Sequence, residues 1–377
     1  MRTVRLLSIP LLLGVAQAAH ADAKVCKAGA LVFGNATYPY KAGDKPNPSG
    51  QTVRQDPPLP WEGVAFQGDK VFTSGPQEIW GGPVAGAIKR LAGTEENVAK
   101  FADGPCADAH FGAIWGLAVL RDGTLVVADH LANAILTVTD AEKPTCKVTV
   151  LVGPKKPLAE ANLATAGDTD GPAASAAVGK PAWPVVDGSG NIYFIDGATD
   201  KVKMIASDAA HTVSTLGQLR HAREVEPYHG MTLMDDKLYA VTSTLANGLV
   251  QEIDPATKKV RVVKDGGGAT FAPLDSTHSP ALGSITNDGS ALLVFGRGYI
   301  WRMTTDGRVN VVAGAGWDID FPKGYNPAGV YPSNQLHLYY KFSSAASGAS
   351  TYMAWHNNAI YWRGVYSSPY VVKITCP

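Results

Sequence analysis

Glu62 and His229 are the residues of this chain whose chemistry could combine into a reactive pair. A carboxylate can move a proton or hold a cation, and an imidazole can do either near neutral pH. Arg297, in FGRGYIW, and Arg363, in YWRGVY, are each flanked by glycine and aromatic residues. Their guanidinium groups suit a carboxylate or phosphate on a ligand, or equally can stack in solvent. Trp115, Thr351 and Trp317 add aromatic and hydroxyl surface for ligand binding. Most of these positions are far apart in the chain, so a shared site requires a fold that gathers distant segments.

A repeat supplies such a fold. DGPCADAHFGAIWGLAVLRDGTLVVAD, from Asp103 to Asp129, aligns without a gap with DGPAASAAVGKPAWPVVDGSGNIYFID, from Asp170 to Asp196. Asp-Gly-Pro opens each copy; Ala107, Ala109 and Gly112 match Ala174, Ala176 and Gly179. In the first copy the apolar runs Leu117 to Leu120 and Thr124 to Ala128 flank Arg121-Asp122-Gly123, a hairpin signal. In the second, Val185-Val186 and Ile192 to Ile195 flank Asp187 to Asn191. A third run (AILTVT, KVKMIA) and a fourth (VTVLVG, HTVSTLG) follow. Four antiparallel strands per unit is the pattern of a propeller blade.

Looser copies raise the count to six, with inner strands beginning near Glu62, Trp115, Ala182, His229, Leu282 and Thr351. The expected fold class is therefore all-β: a six-bladed β-propeller of four-stranded antiparallel blades. The sixth unit has only three strands after Thr351, and Lys27 to Asn35 is the strand available to complete it. Joining the first strand to the last blade removes an exposed sheet edge. The four cysteines allow three pairings. Ring closure places Cys26 beside Cys376, a bond that would stabilise by about 4–5 kcal/mol, and leaves Cys106 to pair with Cys146 across blade 2. Two segments stand outside the repeat: residues 317–342, dense in aromatic residues, proline and glycine, between blades 5 and 6, and a Pro/Gly-rich stretch from Tyr38 to Pro60. The first can offer stacking surfaces at the channel or plug one end of it.

On Asp103-Gly104, Phe111, Gly116 to Val119 and Val127-Ala128-Asp129, and on Asp170-Gly171, Pro181, Asp187, Gly190-Asn191 and Ile195-Asp196, the chain resembles the NHL-repeat family of six-bladed propellers. The family's Asn-His-Arg after the closing Asp is absent here. The resemblance implies that Asp129 and Asp196 bond turn backbone, and that a site would lie where the inner strands begin. There Glu62 and His229 belong to facing blades. Propellers related in architecture imply two metals. In calcium-dependent lactonases of the gluconolactonase type, a Glu-Gly pair like Glu62-Gly63 supplies one ligand, yet the other ring positions lack the oxygen ligands calcium wants. The peptidyl-hydroxyglycine lyase holds a His-ligated zinc, for which His229 is a candidate; His110, His130 and His356 are scattered, and His356 is expected in a hairpin turn facing solvent. Two functions stay open: a binding module for a protein, peptide or glycan, and a lyase or hydrolase using Ca2+ or Zn2+ on a small anionic or peptide substrate.

Residues 1–21 read as a secretory signal: Arg2 and Arg5, an apolar stretch from Leu6 to Ala16, then Ala19-His20-Ala21 before the cut. No later stretch is apolar for long enough to span a bilayer, so residues 22–377 are expected to form a single soluble domain, secreted or periplasmic and monomeric. Disulfides fit that destination. Lys plus Arg and Asp plus Glu number 33 each. Without net charge or a basic run, a nucleic-acid partner is not expected.

Overall fold

A computed structural model describes residues 27–31, 63–75, 77–86, 88–94, 100–159, 165–220, 228–243, 248–265, 282–296, 298–314, 331–332, 352–363 and 371–375. Among these there is no helix; the strands form six antiparallel sheets, each a blade. The inner strands are Gly63–Gln67, Ile114–Val119, Pro181–Val186, Tyr228–Met234, Leu282–Asn287 and Tyr352–His356 in blades 1 to 6. Each touches the next in cyclic order, and the sixth touches the first, which closes the ring. The blade starts expected from the repeat agree with these to within a residue.

Among the described residues there is no single central core. Six apolar clusters fill the six gaps between neighbouring blades. The two-residue period of a strand explains why. Along Leu125–Asp129, Leu125 and Val127 pack toward Phe72 and Leu91 of blade 1, while Val126 and Ala128 pack toward Phe194 of blade 3. All five residues of that strand are buried because both faces meet a neighbour, so it reads as a continuous apolar run rather than an alternation.

The closing residues of the repeat hold the blades to their entry loops. Asp129 is fully buried; its carboxylate accepts Gly112 N at 2.7 Å, Ala113 N at 3.0 Å and Ala132 N at 3.1 Å. Asp196 does the same with Gly179 N at 2.9 Å and the Thr199 hydroxyl at 2.9 Å. These bonds carry the role that the resemblance implied.

Closure occurs as the sequence indicated. Lys27–Leu31 pairs antiparallel with Val371–Thr375, Lys27 opposite Thr375, as the outer strand of blade 6. Cys26 and Cys376 adjoin these paired residues but lie outside the described residues. Cys106 and Cys146 form a disulfide, with Cα atoms 5.4 Å apart. Within the 317–342 insert, Tyr331–Pro332 pairs with Lys27 and Ala28 and extends blade 6 to five strands. The rest of that insert, Trp317 included, and residues 38–60 lie outside the described residues.

Candidate functional site: the central channel

Four of the six inner strands depart from regular pairing at one end. In blade 2 the register slips by a residue between Ile114 and Leu117, and in blade 3 between Ala182 and Val185. It slips between Tyr228 and Gly230 in blade 4, and between Leu282 and Ser284 in blade 5. Such bulges free a residue from the ladder and re-aim it. The freed positions are Trp115-Gly116, Trp183-Pro184, His229 and Gly283. Blades 1 and 6 pair without a slip.

Close approach of the inner strands makes this end possible. A Cβ on Gly63 would lie 2.9 Å from Leu117 N, and one on Gly116 would lie 2.7 Å from Pro184 Cδ. Gly116 also holds φ at +120°, a conformation open to glycine. The glycine of the Glu62-Gly63 pair therefore has a packing reason that needs no metal.

Aromatic rings occupy this end of the channel. Trp183 of blade 3 and Tyr352 of blade 6, on opposite sides of the ring, stack with centroids 5.9 Å apart and planes 21° apart. The Tyr352 hydroxyl donates to Val64 O of blade 1 at 2.7 Å. Burial pushes that phenol up to about 12, so it stays a donor at any physiological pH. Trp115, half-buried, packs against the same cluster and stacks on His130 at 3.9 Å. Burial, with the Lys180 ammonium nearby, holds His130 down at about 3, so its ring is neutral. At the opposite end Phe66 of blade 1 stacks on His356 of blade 6 at 4.3 Å, with planes 6° apart. Between the two ends lies a cavity of about 360 Å3 walled by inner strands of all six blades. No Asp, Glu, Lys or Arg is among its described lining residues.

The candidates from sequence divide accordingly. Trp115 is one of the residues freed by the blade 2 bulge; its ring stacks on His130 and it is not among the described residues that line the cavity. His229 is the residue freed by the blade 4 bulge, and Arg363 pairs with Tyr352 in the ladder; their side chains are outside the described set. Glu62, Thr351 and Arg297 lie outside the described residues. The histidines occupy separate places: His110 bonds the Thr94 hydroxyl, at 3.0 Å, His130 stacks on Trp115 and His356 on Phe66. Among the described residues no three His, Cys, Asp or Glu side chains gather in a way that could hold a metal ion. His356 corrects an expectation. It is the last residue of its strand, the turn being Asn357-Asn358, and it leans on an aromatic ring rather than facing solvent.

Trp183 and Tyr352 are the channel residues that the sequence reading passed over, each one position beyond the expected Ala182 and Thr351. Pro184 was the available signal. Proline cannot donate to a ladder, so its place inside an inner strand marks a bulge and shifts its neighbour off the regular count.

The fold and the channel define a six-bladed β-propeller. No protein-family profile and no curated protein matches the chain. Among solved structures it is similar to an auxiliary nutrient binding protein from Bacteroides thetaiotaomicron, at 11% identity over 84% of this chain and 69% of that one, with a TM-score of 0.54. It is also similar to a gluconolactonase from Xanthomonas campestris, at 14% identity over 85% of this chain and 87% of that one, with a TM-score of 0.51. At these identities the likeness speaks to the fold alone.

Proposed function

We propose that this chain is an exported NHL-type propeller that works as a binding module, taking its ligand into the central channel and the loops around it. Residues 1–21 act as the signal peptide, and residues 22–377 form one domain. The observation that carries this reading is the channel itself: a continuous cavity with aromatic rings at both ends and no Asp, Glu, Lys or Arg in its described wall. Ligand pockets are usually concave and present a few placed polar groups, which here are Thr232, Ser284 and Thr286 between the aromatic ends. The loops offer the surface for a protein, peptide or glycan, with Arg297, Arg363 and Trp317 as candidate contacts. The alternative, a metal-assisted lyase or hydrolase, requires Glu62 and His229 to act together at the channel mouth.

Elemental analysis of purified protein separates the two. A binding module is expected to be metal-free and to unfold at the same temperature with and without chelator. Stoichiometric zinc or calcium, lost in Glu62→Ala or His229→Ala, would overturn the binding reading in favour of the enzyme.

A further inference from the structure

The two rings that meet across the channel are held very differently. Tyr352 is anchored: its hydroxyl is satisfied by Val64 O and its strand pairs without a bulge. Trp183 carries two unfavourable features at once. Its φ is +53°, a left-handed backbone conformation that bulky side chains rarely adopt. Its indole Nε1 is also buried, with no acceptor among the described residues, so a desolvated donor is left unsatisfied. The unpaired donor belongs to the arrangement in which the indole stacks on Tyr352, whereas the φ is set by the bulged backbone and stays when the ring turns; Trp183 is itself part of the cavity wall.

We propose that the channel cavity binds a neutral, planar molecule bearing a hydrogen-bond acceptor, and that Trp183 is the movable residue that admits it. On binding, the indole turns away from Tyr352, the ligand ring takes its place against the phenol, and Nε1 donates to the ligand's acceptor. The unpaired donor of the closed arrangement reduces the cost of leaving it, because it gains a partner. The absence of charged groups from the described wall selects against an ionic ligand, which would lose its hydration without compensation. This inference rests on the binding reading above and adds the class of ligand and the residue that recognises it.

Three probes of similar size test it: coumarin (flat, neutral, with a carbonyl acceptor), naphthalene (flat, without an acceptor) and coumarin-3-carboxylate (flat and anionic). Wild-type protein is expected to bind coumarin more tightly than either of the others. Trp183→Phe keeps a ring and removes the N–H. It is expected to weaken coumarin about tenfold, the worth of one hydrogen bond, and to leave naphthalene unchanged. With 6-fluorotryptophan incorporated into wild type, a fluorine resonance should shift when coumarin is added, a readout that does not depend on the variant folding; its disappearance in Trp183→Phe then assigns it. Equal coumarin affinity in Trp183→Phe, tighter binding of the carboxylate, no binding by any probe, or an unmoved Trp183 resonance at saturation would each overturn the inference. Any of these in metal-free protein leaves the binding reading with another ligand; stoichiometric metal removes that reading itself.

Discussion

Blades 2 and 3 begin with the same Asp-Gly-Pro strap, laid against the fourth strand of the blade, and hold it by different chemistry. In both, a pair of backbone bonds closes the strap on itself: Ala102 with His110 in one, Thr169 with Ala177 in the other. Gly104 lies opposite Val148 on its fourth strand and Gly171 opposite Val213. Blade 2 then adds the Cys106–Cys146 disulfide. In blade 3 the residue matching Cys106 is Ala173, and the strap is tied through Asp170 instead. Asp170 accepts Lys203 Nζ at 2.9 Å, Thr215 N at 2.7 Å and the Thr215 hydroxyl at 3.1 Å. Burial alone would raise the Asp170 carboxyl; Lys203 and Thr215 outweigh it and hold it below the usual range. Lys203, whose side chain is fully buried, stands where blade 2 has Leu136. One module therefore keeps its geometry under two kinds of clamp, one answering to redox conditions and the other to pH and salt.

The largest effect should separate the clamps directly. Cys106→Ser opens a 40-residue loop and is expected to destabilise by about 4 kcal/mol in the chain-entropy account. Urea unfolding with and without reductant reads this, and the reductant effect attributable to this bond should vanish in the variant. The closing carboxylates come next. Asp129→Ala strands three backbone donors, two of them buried, and should cost about 3 kcal/mol, more than Asp196→Ala, which loses one backbone donor and one hydroxyl. An equal loss would show that the two aspartates do not divide their work as the bonds indicate.

A third difference lies in pH. Burial raises Asp129 to about 6, so its contribution is present below its unfolded value near 4 and is lost as pH climbs through 6. His130, lowered to about 3, contributes in the opposite sense: stability present above 6.5 is lost as pH falls, because the unfolded imidazole takes a proton that the native one refuses. The two oppose each other between about pH 4 and 6, and blade 3 has Gly197 in the place of the histidine. Asp129→Asn should expose a stability that rises with pH over this window. His130→Gln should expose one that falls. Parallel profiles for wild type and both variants would remove the opposition. The smallest effect is expected from Lys203→Met, about 1–2 kcal/mol, because the carboxylates it leaves are partly exposed; the variant should also lose part of its response to salt.

Much of this was legible in the sequence because the blade is written in strand rhythm: the runs after Ala134 and Lys201 are the third strands, and the need of blade 6 for a fourth strand pointed to Lys27. The channel was less legible. Counting from the hairpin put Ala182 where Trp183 lines the cavity, because a bulge intervenes, and it fell one short at Thr351 too, in a blade without a bulge. Burial of His130 depends on Trp115 from a different strand and left no local mark in the sequence. Lys203 reads as a surface residue until the strap that supplies its carboxylates is folded over it.

The seam in blade 6 sets an order of events. Lys27–Leu31 is the first described strand to be made and Val371–Thr375 the last, so the early one has no permanent partner until the late one exists. Every shorter intermediate carries an open sheet edge, the feature most prone to pair with another chain. Safe assembly therefore depends on how long the first strand is kept from strangers while the remainder is being delivered.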